Sequence, residues 1–382
     1  MRRPRPLSPL VYLSRNSGRT IPMAGVIVLS VLLVGGIVAL MNSIPLSIRT
    51  TYSYSRHYLA VSPRGDPSMI DVIRDRVTEG SPVPIERVIL CRASGSTVRS
   101  IVGKWPFVVI GLSRPDMEFL LERSRTTALE GRLPNVGAPE AVISQPVAKN
   151  LNLRIGDVLL GPKRDEGYSP KDVRVVGIAH TDDWLMLNDI EYQRENHFPP
   201  IDNLLFFAKS EAEQGRLDRW AVAQLKGERA QTFAYFELEK DTDEMFDTLY
   251  MILNTVIGLL VIVIAMVMAM LMNIYQSQRM VEFGLLQAIG FTKKRLVRKV
   301  IAEAAWVMAC GWVLGLLVAG GFLFAIKALI FDPKAYALEP FDLAALLYTL
   351  PIPVMILSAA VATVLLRFRG FDPVAVVERR IV

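Results

Sequence analysis

Four stretches of this chain carry no charged side chain, and each is long enough to cross a bilayer. They are Ile21–Met41 with 21 residues, Thr248–Gln278 with 31, Ala304–Ile326 with 23 and Leu343–Leu366 with 24. About 20 apolar residues in a helix cover a hydrocarbon core of roughly 30 Å, and a spanning backbone must satisfy its own hydrogen bonds, so each run predicts a transmembrane helix. The chain is 52% hydrophobic over 382 residues, and the excess is concentrated in these runs. The expected fold class is a membrane α-helical protein of four transmembrane helices, with a large α+β extracytoplasmic domain inserted between helices 1 and 2.

The basic residues set the expected orientation. Residues 1–20 carry Arg2, Arg3, Arg5, Arg15 and Arg19 and no acid. The segment after the second run carries Arg279, Lys293, Lys294, Arg295, Arg298 and Lys299 against Glu282 and Glu303, and the tail carries Arg367, Arg369, Arg379 and Arg380 against Asp372 and Glu378. Between Asn42 and Asp247, by contrast, there are 26 basic and 30 acidic residues. The net +6 is thus a positive-inside signal and not a nucleic-acid footprint. This predicts cytoplasmic segments at 1–20, 279–303 and 367–382, spans at 21–41, 304–330 and 343–366, a stalk and span at 241–278, an external domain at 42–240 and a short external loop at 331–342. The first run is too long for a signal-peptide core, and no clear small-x-small cleavage site follows Met41, so it reads as an uncleaved anchor.

The external segment alternates short strands and helices. Strands are expected at Tyr58–Val61, Arg87–Cys91, Phe107–Leu112, Ala141–Ser144, Val158–Leu160, Val173–Ile178 and Leu204–Ala208. Helices are expected at Ser68–Thr78, Asp116–Glu122, Gln145–Leu151 and Glu211–Leu225, with an inserted subdomain near Gly111–Pro170. Cys91 and Cys310 fall in different regions and do not pair, and His57, His180 and His197 are scattered, so no metal site is expected. A hydrolase built from His180, Asp182 and Asp183 with Ser94 or Ser96 lacks any nucleophile-elbow signature, and a strand ending at His180 accounts for those residues better. Trp105-Pro106-Phe107 reads either as an exposed aromatic contact or as hairpin residues packed into a core.

No Asp, Glu, His, Lys or Arg lies inside the four runs, which argues against an ion- or proton-coupled carrier. The polar residues there, such as Ser30, Asn254, Thr255, Asn273 and Ser358, suit helix contacts. The second run is longer than a bilayer needs, and Phe236–Asp247 before it is compatible with helix, so a continuous stalk is expected; tilt or a hidden turn is the alternative. Gly311 and Gly315, with Ala319 one turn on, form a small-residue stripe for close helix packing, either with a second copy or within the chain. Pro351 and Pro353 predict an irregular start to the fourth span.

Between the second and third runs lies VEFGLLQAIGFTKKRL, Val281–Leu296. On helical spacing Val281, Leu285, Leu286 and Ile289 make an apolar stripe, with Glu282, Lys293, Lys294 and Arg295 directed to solvent or headgroups. Gly290 is placed to end a helix in a left-handed conformation, with Phe291 packing back. Such a segment is either an amphipathic helix on the inner leaflet or a peg that docks into a cytoplasmic partner.

The order Glu282, Gly284, Ala288, Gly290 and Lys293–Arg295 resembles the cytoplasmic loop of FtsX/MacB-like ABC transporter permeases. The tail FDPVAVVERR, with Asp372, Pro373 and Arg379, resembles that family's C-terminal ending. ALEGRLP (Ala128–Pro134), Glu140–Leu159 and Val173–His180 are similar to a MacB-type periplasmic core domain. The resemblance implies a mechanotransmission permease bound to a separate ABC ATPase, two per complex, and paired with a second permease copy or homologue. It also implies Glu282, Phe283, Gly284, Leu285, Leu286, Ala288, Ile289, Gly290, Lys293, Lys294 and Arg295 as the ATPase-coupling set. Family members of this layout extract lipoproteins, export glycolipids or drugs with a periplasmic adaptor, or activate cell-wall hydrolases, so membrane lipid and an adaptor are candidate partners. The chain has no G-x-x-x-x-G-K-[ST] loop, so this subunit is expected to be non-enzymatic and free of cofactor, with ATP and Mg held by the ATPase. A transmembrane signalling or scaffold protein that moves no substrate is the alternative. A membrane-embedded enzyme would need paired carboxylates, HExxH or a Ser/Lys arrangement, none of which is present.

Overall fold

The computed structural model describes residues 17–197 and 201–369. The chain divides into two compact units. One holds Met1–Met41, Thr248–Lys327 and Glu339–Val382; the other holds Asn42–Asp247 and Ala328–Leu338.

The first unit contains the apolar runs. They lie in α1 (Ser17–Thr51), α7 (Tyr235–Ala288), α8 (Lys293–Ile326) and the pair α9 (Leu343–Thr349) and α10 (Pro351–Arg369). Among the described residues four helical segments are long and apolar enough to cross a membrane. At about 1.5 Å per residue the 54 residues of α7 extend roughly 80 Å, far beyond a bilayer core, and no turn interrupts them. The fourth span breaks at Leu350, where Pro351 starts α10 as a first-turn residue whose missing N–H costs nothing.

Only one face of each spanning helix is buried. In α1 the inner face is Met23, Ile27, Val31, Val34 and Val38, while Ile21, Leu29 and Leu33 point outward, as expected of side chains facing lipid. The small-residue stripe of α8 is used inside the chain. A Cβ on Gly311 would come within 3.2 Å of the Ile27 side chain, and one on Gly315 would fall 2.8 Å from Val31 Cβ and 3.2 Å from Val28 Cα. Gly311, Gly315 and Ala319 are all buried. Of the two uses expected for this stripe, packing within the chain is the one seen here, with helix α1 against that face. Gly315→Leu is therefore expected to push α1 off α8 and cost on the order of 2–4 kcal/mol, read as a lower thermal midpoint in detergent. A Gly321→Leu control, where no atom lies within 4 Å, should leave the midpoint in place.

The second unit is built on a ten-stranded mixed sheet in the order β10-β1-β9-β2-β3-β8-β5-β7-β4, with β6 paired to β7. The strands are β1 (Leu59–Ser62), β2 (Ile85–Ser100), β3 (Gly103–Leu112), β4 (Ala128–Gly131), β5 (Glu140–Ser144), β6 (Val158–Leu160), β7 (Val173–His180), β8 (Met186–Asp189), β9 (Asn203–Ala208) and β10 (Gln231–Phe233). Strand β2 is far longer than its apolar stretch predicts. Its first half pairs with β9 and its second half with β3, so one strand joins both ends of the sheet. The strands of the segment Gly111–Pro170, expected as an inserted subdomain, extend the same sheet beyond β8.

Helices α2 (Met69–Gly80) and α6 (Glu211–Leu225) cover β1 and β9, and their core holds Leu59, Ile73, Val77, Phe206 and Leu217. A second core, with helices α3 (Arg114–Arg123) and α4 (Gln145–Leu151) against it, buries Phe107, Leu120, Ile143 and Val175, and Phe119 of α3 packs edge-on to Phe207 of β9 at 5.1 Å. Helix α5 (Ile190–Asn196), which no apolar periodicity announces, starts at Asp189, whose carboxylate accepts from the Glu191 and Tyr192 amides. Phe107 packs edge-on to Tyr54 at 5.5 Å and is buried, and half-buried Trp105 packs against the same core, while Pro106 is exposed.

The residues placed in the loop at 331–342 belong largely to this unit. Asn150 Nδ2 donates to the Lys334 carbonyl at 2.9 Å, Tyr336 Oη to the Ser100 carbonyl at 3.2 Å, and the Ala337 amide to Ser47 Oγ at 3.1 Å. The points where α1 enters and α7 leaves are also tied together, by ion pairing of Arg49 with Asp243 and by Arg56 stacked 4.3 Å over the Tyr235 ring.

Candidate coupling site

The segment Val281–Leu296 is the closed end of the α7–α8 hairpin. Helix α7 ends in a Schellman arrangement: the Phe291 amide reaches the Leu286 carbonyl at 3.1 Å and the Gly290 amide the Gln287 carbonyl at 2.9 Å. Gly290 supplies the left-handed residue at φ +100°, as its local chemistry predicts. Thr292 then opens α8, its carbonyl accepting from the Arg295 and Leu296 amides.

The expected coupling set splits in two. Phe283 and Gly284 are buried, and Leu286 is half-buried; with Leu296, Val300 and Val364 they hold the hairpin together. These three serve the interior and are not presented for docking. Leu285 and Ile289 stand exposed, at 54% and 75%, beside exposed Ala288, Lys293, Lys294 and Arg295 and the half-exposed side chain of Glu282. The apolar stripe is therefore Leu285, Ala288 and Ile289, with Val281 half-buried at its edge. Three cations sit in the first turn of α8, against the sense of its helix dipole, so the tip joins an apolar knob to a strongly positive rim. That combination suits an apolar pocket edged with carboxylates. Because Val281–Ala288 continues a spanning helix, it does not form a separate amphipathic helix lying in the membrane plane.

Above the tip lies a feature that sequence reasoning missed. Arg279 and Glu303, counted as flanking charges, are buried and paired at 2.6 Å, with side chains 2% and 4% exposed. Arg279 also reaches Glu282 at 3.3 Å and Tyr275 Oη at 3.2 Å, and its guanidinium lies 5.0 Å from the Phe283 ring centre. The signal was the spacing: Arg279 and Phe283 stand one turn apart on the face that carries Met268 and Met272.

The α/β unit holds a polar cleft of about 340 Å³ lined by Ser53, Arg56, His57, Arg125, His180 and Asp183 among others. It does not assemble a hydrolase. Asp183 sits in the middle, taking Ser53 Oγ at 2.8 Å and His57 Nε2 at 2.7 Å, so the serine donates to the acid and not to a base. Burial pushes the Asp183 carboxyl up, but His57 and Ser53 hold it below its usual range. Ser94 accepts from Gln193, Ser96 donates to the Glu166 carbonyl, and His180 pairs with Glu130. Among the described residues no cluster of His, Cys, Asp and Glu is arranged to hold a metal. Asp372, Pro373 and Arg379 lie outside the described residues.

Residues 254–371 match the FtsX-like permease C-terminal family, which covers α7 from Asn254, the coupling tip, α8 and the fourth span. No curated protein matches the chain. Among solved structures, the periplasmic region of MacB from Actinobacillus actinomycetemcomitans aligns at 12% identity and a TM-score of 0.28, covering 49% of this chain and 92% of that one. The extracellular domain of the noncanonic ABC-type transporter YknZ from Gram-positive bacteria aligns at 12% identity and a TM-score of 0.26, covering 46% of this chain and 98% of that one.

Proposed function

We propose, from the match of residues 254–371 to the FtsX-like permease C-terminal family, that this chain is an FtsX-like permease and that its α7–α8 tip is the docking peg for a separate ABC ATPase. The observation that carries this reading is the continuity of α7 from Tyr235 in the α/β unit to Ala288 beside the exposed Leu285 and Ile289. One continuous helix thus belongs to both units, and it is the path that an ATPase stroke would travel. In this reading the termini and the Ile289–Thr292 turn face the cytoplasm, the α/β unit lies outside, and two permeases and two ATPases form the complex. Closure of the ATPase pair drives α7, with α1, and the α/β unit acts on a lipid, lipoprotein or other amphiphile, with or without a periplasmic adaptor. Apolar spans without an ionisable pathway support a cargo handled at the outer leaflet. The second reading, regulation of an external partner without transport, uses the same peg and differs only in the absence of cargo.

The pair of substitutions Leu285→Asp and Ile289→Asp tests the peg. Removing two apolar anchors should cost about 2–4 kcal/mol of docking energy, a loss of roughly 30-fold or more in affinity for the ATPase. Insertion and thermal midpoint of the permease should not change, since both positions are exposed. Titration of the ATPase onto nanodisc-embedded permease measures this, and undiminished affinity in the variant rejects the reading.

A further inference from the structure

We propose that Arg279 is the positioning residue of the coupling tip: it holds Glu282 in the undocked chain and turns toward Gln276 when a cation of the docked partner takes Glu282. This deepens the docking reading above and rests on it. The inner stripe of α7 runs through Ile257, Val261, Ala265, Met268 and Met272, then becomes polar at Gln276 and Arg279 before returning to Phe283. Packing alone does not ask for a buried guanidinium there, since apolar residues of like size serve a core as well.

Two of the ion pairs of Arg279 are unequal. Its bond to Glu303 is buried on both sides and supported by Lys299 at 3.8 Å from the other carboxylate oxygen. Its bond to Glu282 is longer, 3.3 Å, and ends on a carboxylate whose side chain is 53% exposed. Exposed pairs exchange partners at little cost, whereas a buried one does not. Glu282 is therefore the partner that is released, and Glu303, on α8, the one that is kept.

Gln276 provides the second position. It is completely buried three residues before Arg279 on the same helical face, and neither its amide nitrogen nor its amide oxygen has a hydrogen-bond partner. A buried amide without a partner is costly, so Gln276 offers an acceptor that a donor released nearby can take up. Arg279 can give its freed N–H to the Gln276 oxygen while keeping Glu303, so a change at the exposed tip becomes a change in how α7 sits against α8.

The test uses the full chain in nanodiscs with a co-expressed ABC ATPase that forms a stoichiometric complex with it. Gln276→Leu removes the alternative partner and an unsatisfied amide together. We expect ATPase affinity within about twofold of the parent, an equal or higher thermal midpoint, and permease-stimulated ATP turnover lower by about fivefold or more. Arg279→Lys, which keeps the charge but not the planar fork, should also preserve assembly and lose stimulation. A purely structural Gln276 predicts that leucine changes the midpoint alone, and full stimulation in both variants overturns the proposal. Running Leu285→Asp with Ile289→Asp in the same assay separates the two failures. If that variant still docks, the peg is wrong; if it releases the ATPase while Gln276→Leu stimulates normally, only the Arg279 switch is wrong.

Discussion

Replacing Gly131 by alanine is expected to destabilise the α/β unit by on the order of 3–5 kcal/mol, and valine there should prevent it from folding. Two independent causes add. Gly131 ends β4 at φ +84°, a conformation that L side chains rarely adopt. A Cβ there would also lie 2.3 Å from the Val176 carbonyl oxygen and 3.2 Å from Gly177 Cα. The obstacle is backbone in β7, which is pinned by β4, β5 and β6, so it has nowhere to go. Gly131 faces Gly177 across the pair, and a Cβ on Gly177 would in turn meet the Arg132 carbonyl at 2.6 Å. The two strands approach too closely for any side chain. Gly137→Ala is the control, with φ +67° but no atom within 4 Å, and should cost only about 1 kcal/mol for strain. Thermal melts of the full chain followed by near-UV ellipticity compare the two. Equal losses would show that conformation alone, and not the strand contact, makes Gly131 necessary.

Gly131 lies in the stretch ALEGRLP, which resembles a MacB-type periplasmic core domain by its letters alone, and the close strand contact gives that glycine a physical reason. Other features divide along the same line. The four spans could be read directly, because an apolar run of 20 or more residues without a charge is too costly to leave in water and too long for most buried helices. Their ends could not: α1 runs on to Thr51 and α7 starts at Tyr235, since a helix continues wherever its polar residues find solvent or partners, as Arg49 and Asp243 do. Gly290 was legible because a left-handed cap depends on local chemistry. Which side of Val281–Ala288 faces inward was not, because it is set by Leu296, Val300 and Val364, which are distant in sequence. Arg279 and Glu303 were read as border charges for the same reason: nothing local shows that they meet. In the sheet, β7 and β9 have apolar runs of their own, whereas β4 and β10 are strands only because β7 and β1 pair with them.

The contribution of Asp218 to stability of the α/β unit is expected to fall as pH rises from about 4 to about 7, and Asp218→Asn should remove that contribution. Asp218 lies on α6 and is buried; loss of hydration pushes its carboxyl up to about 7, against the Gln214 hydrogen bond and the nearby Arg219 charge, which favour the ionised form. Gln214 is fixed in turn, its Oε1 accepting from the Ala208 amide and its Nε2 donating to Asp218 at 2.7 Å, so the carboxyl is held at the edge of β9. In the unfolded chain an aspartate titrates near 3.9, so between the two values only the folded state keeps its proton. The folded state therefore binds more protons in that window, and each pH unit across it removes about 1.4 kcal/mol of stability. Below about pH 4 both states are protonated, and the contribution is fully present; above about pH 7 it is lost. Asparagine is neutral throughout and still accepts from Gln214. The variant should gain roughly 2–4 kcal/mol over the parent at pH 8, and the difference should shrink toward zero near pH 4. Melts of both proteins at pH 5 and pH 8 give the comparison, with other titrating groups cancelling between them. A variant that melts below its parent at pH 8 would mean that Asp218 is ionised and held by a favourable partner in the folded state.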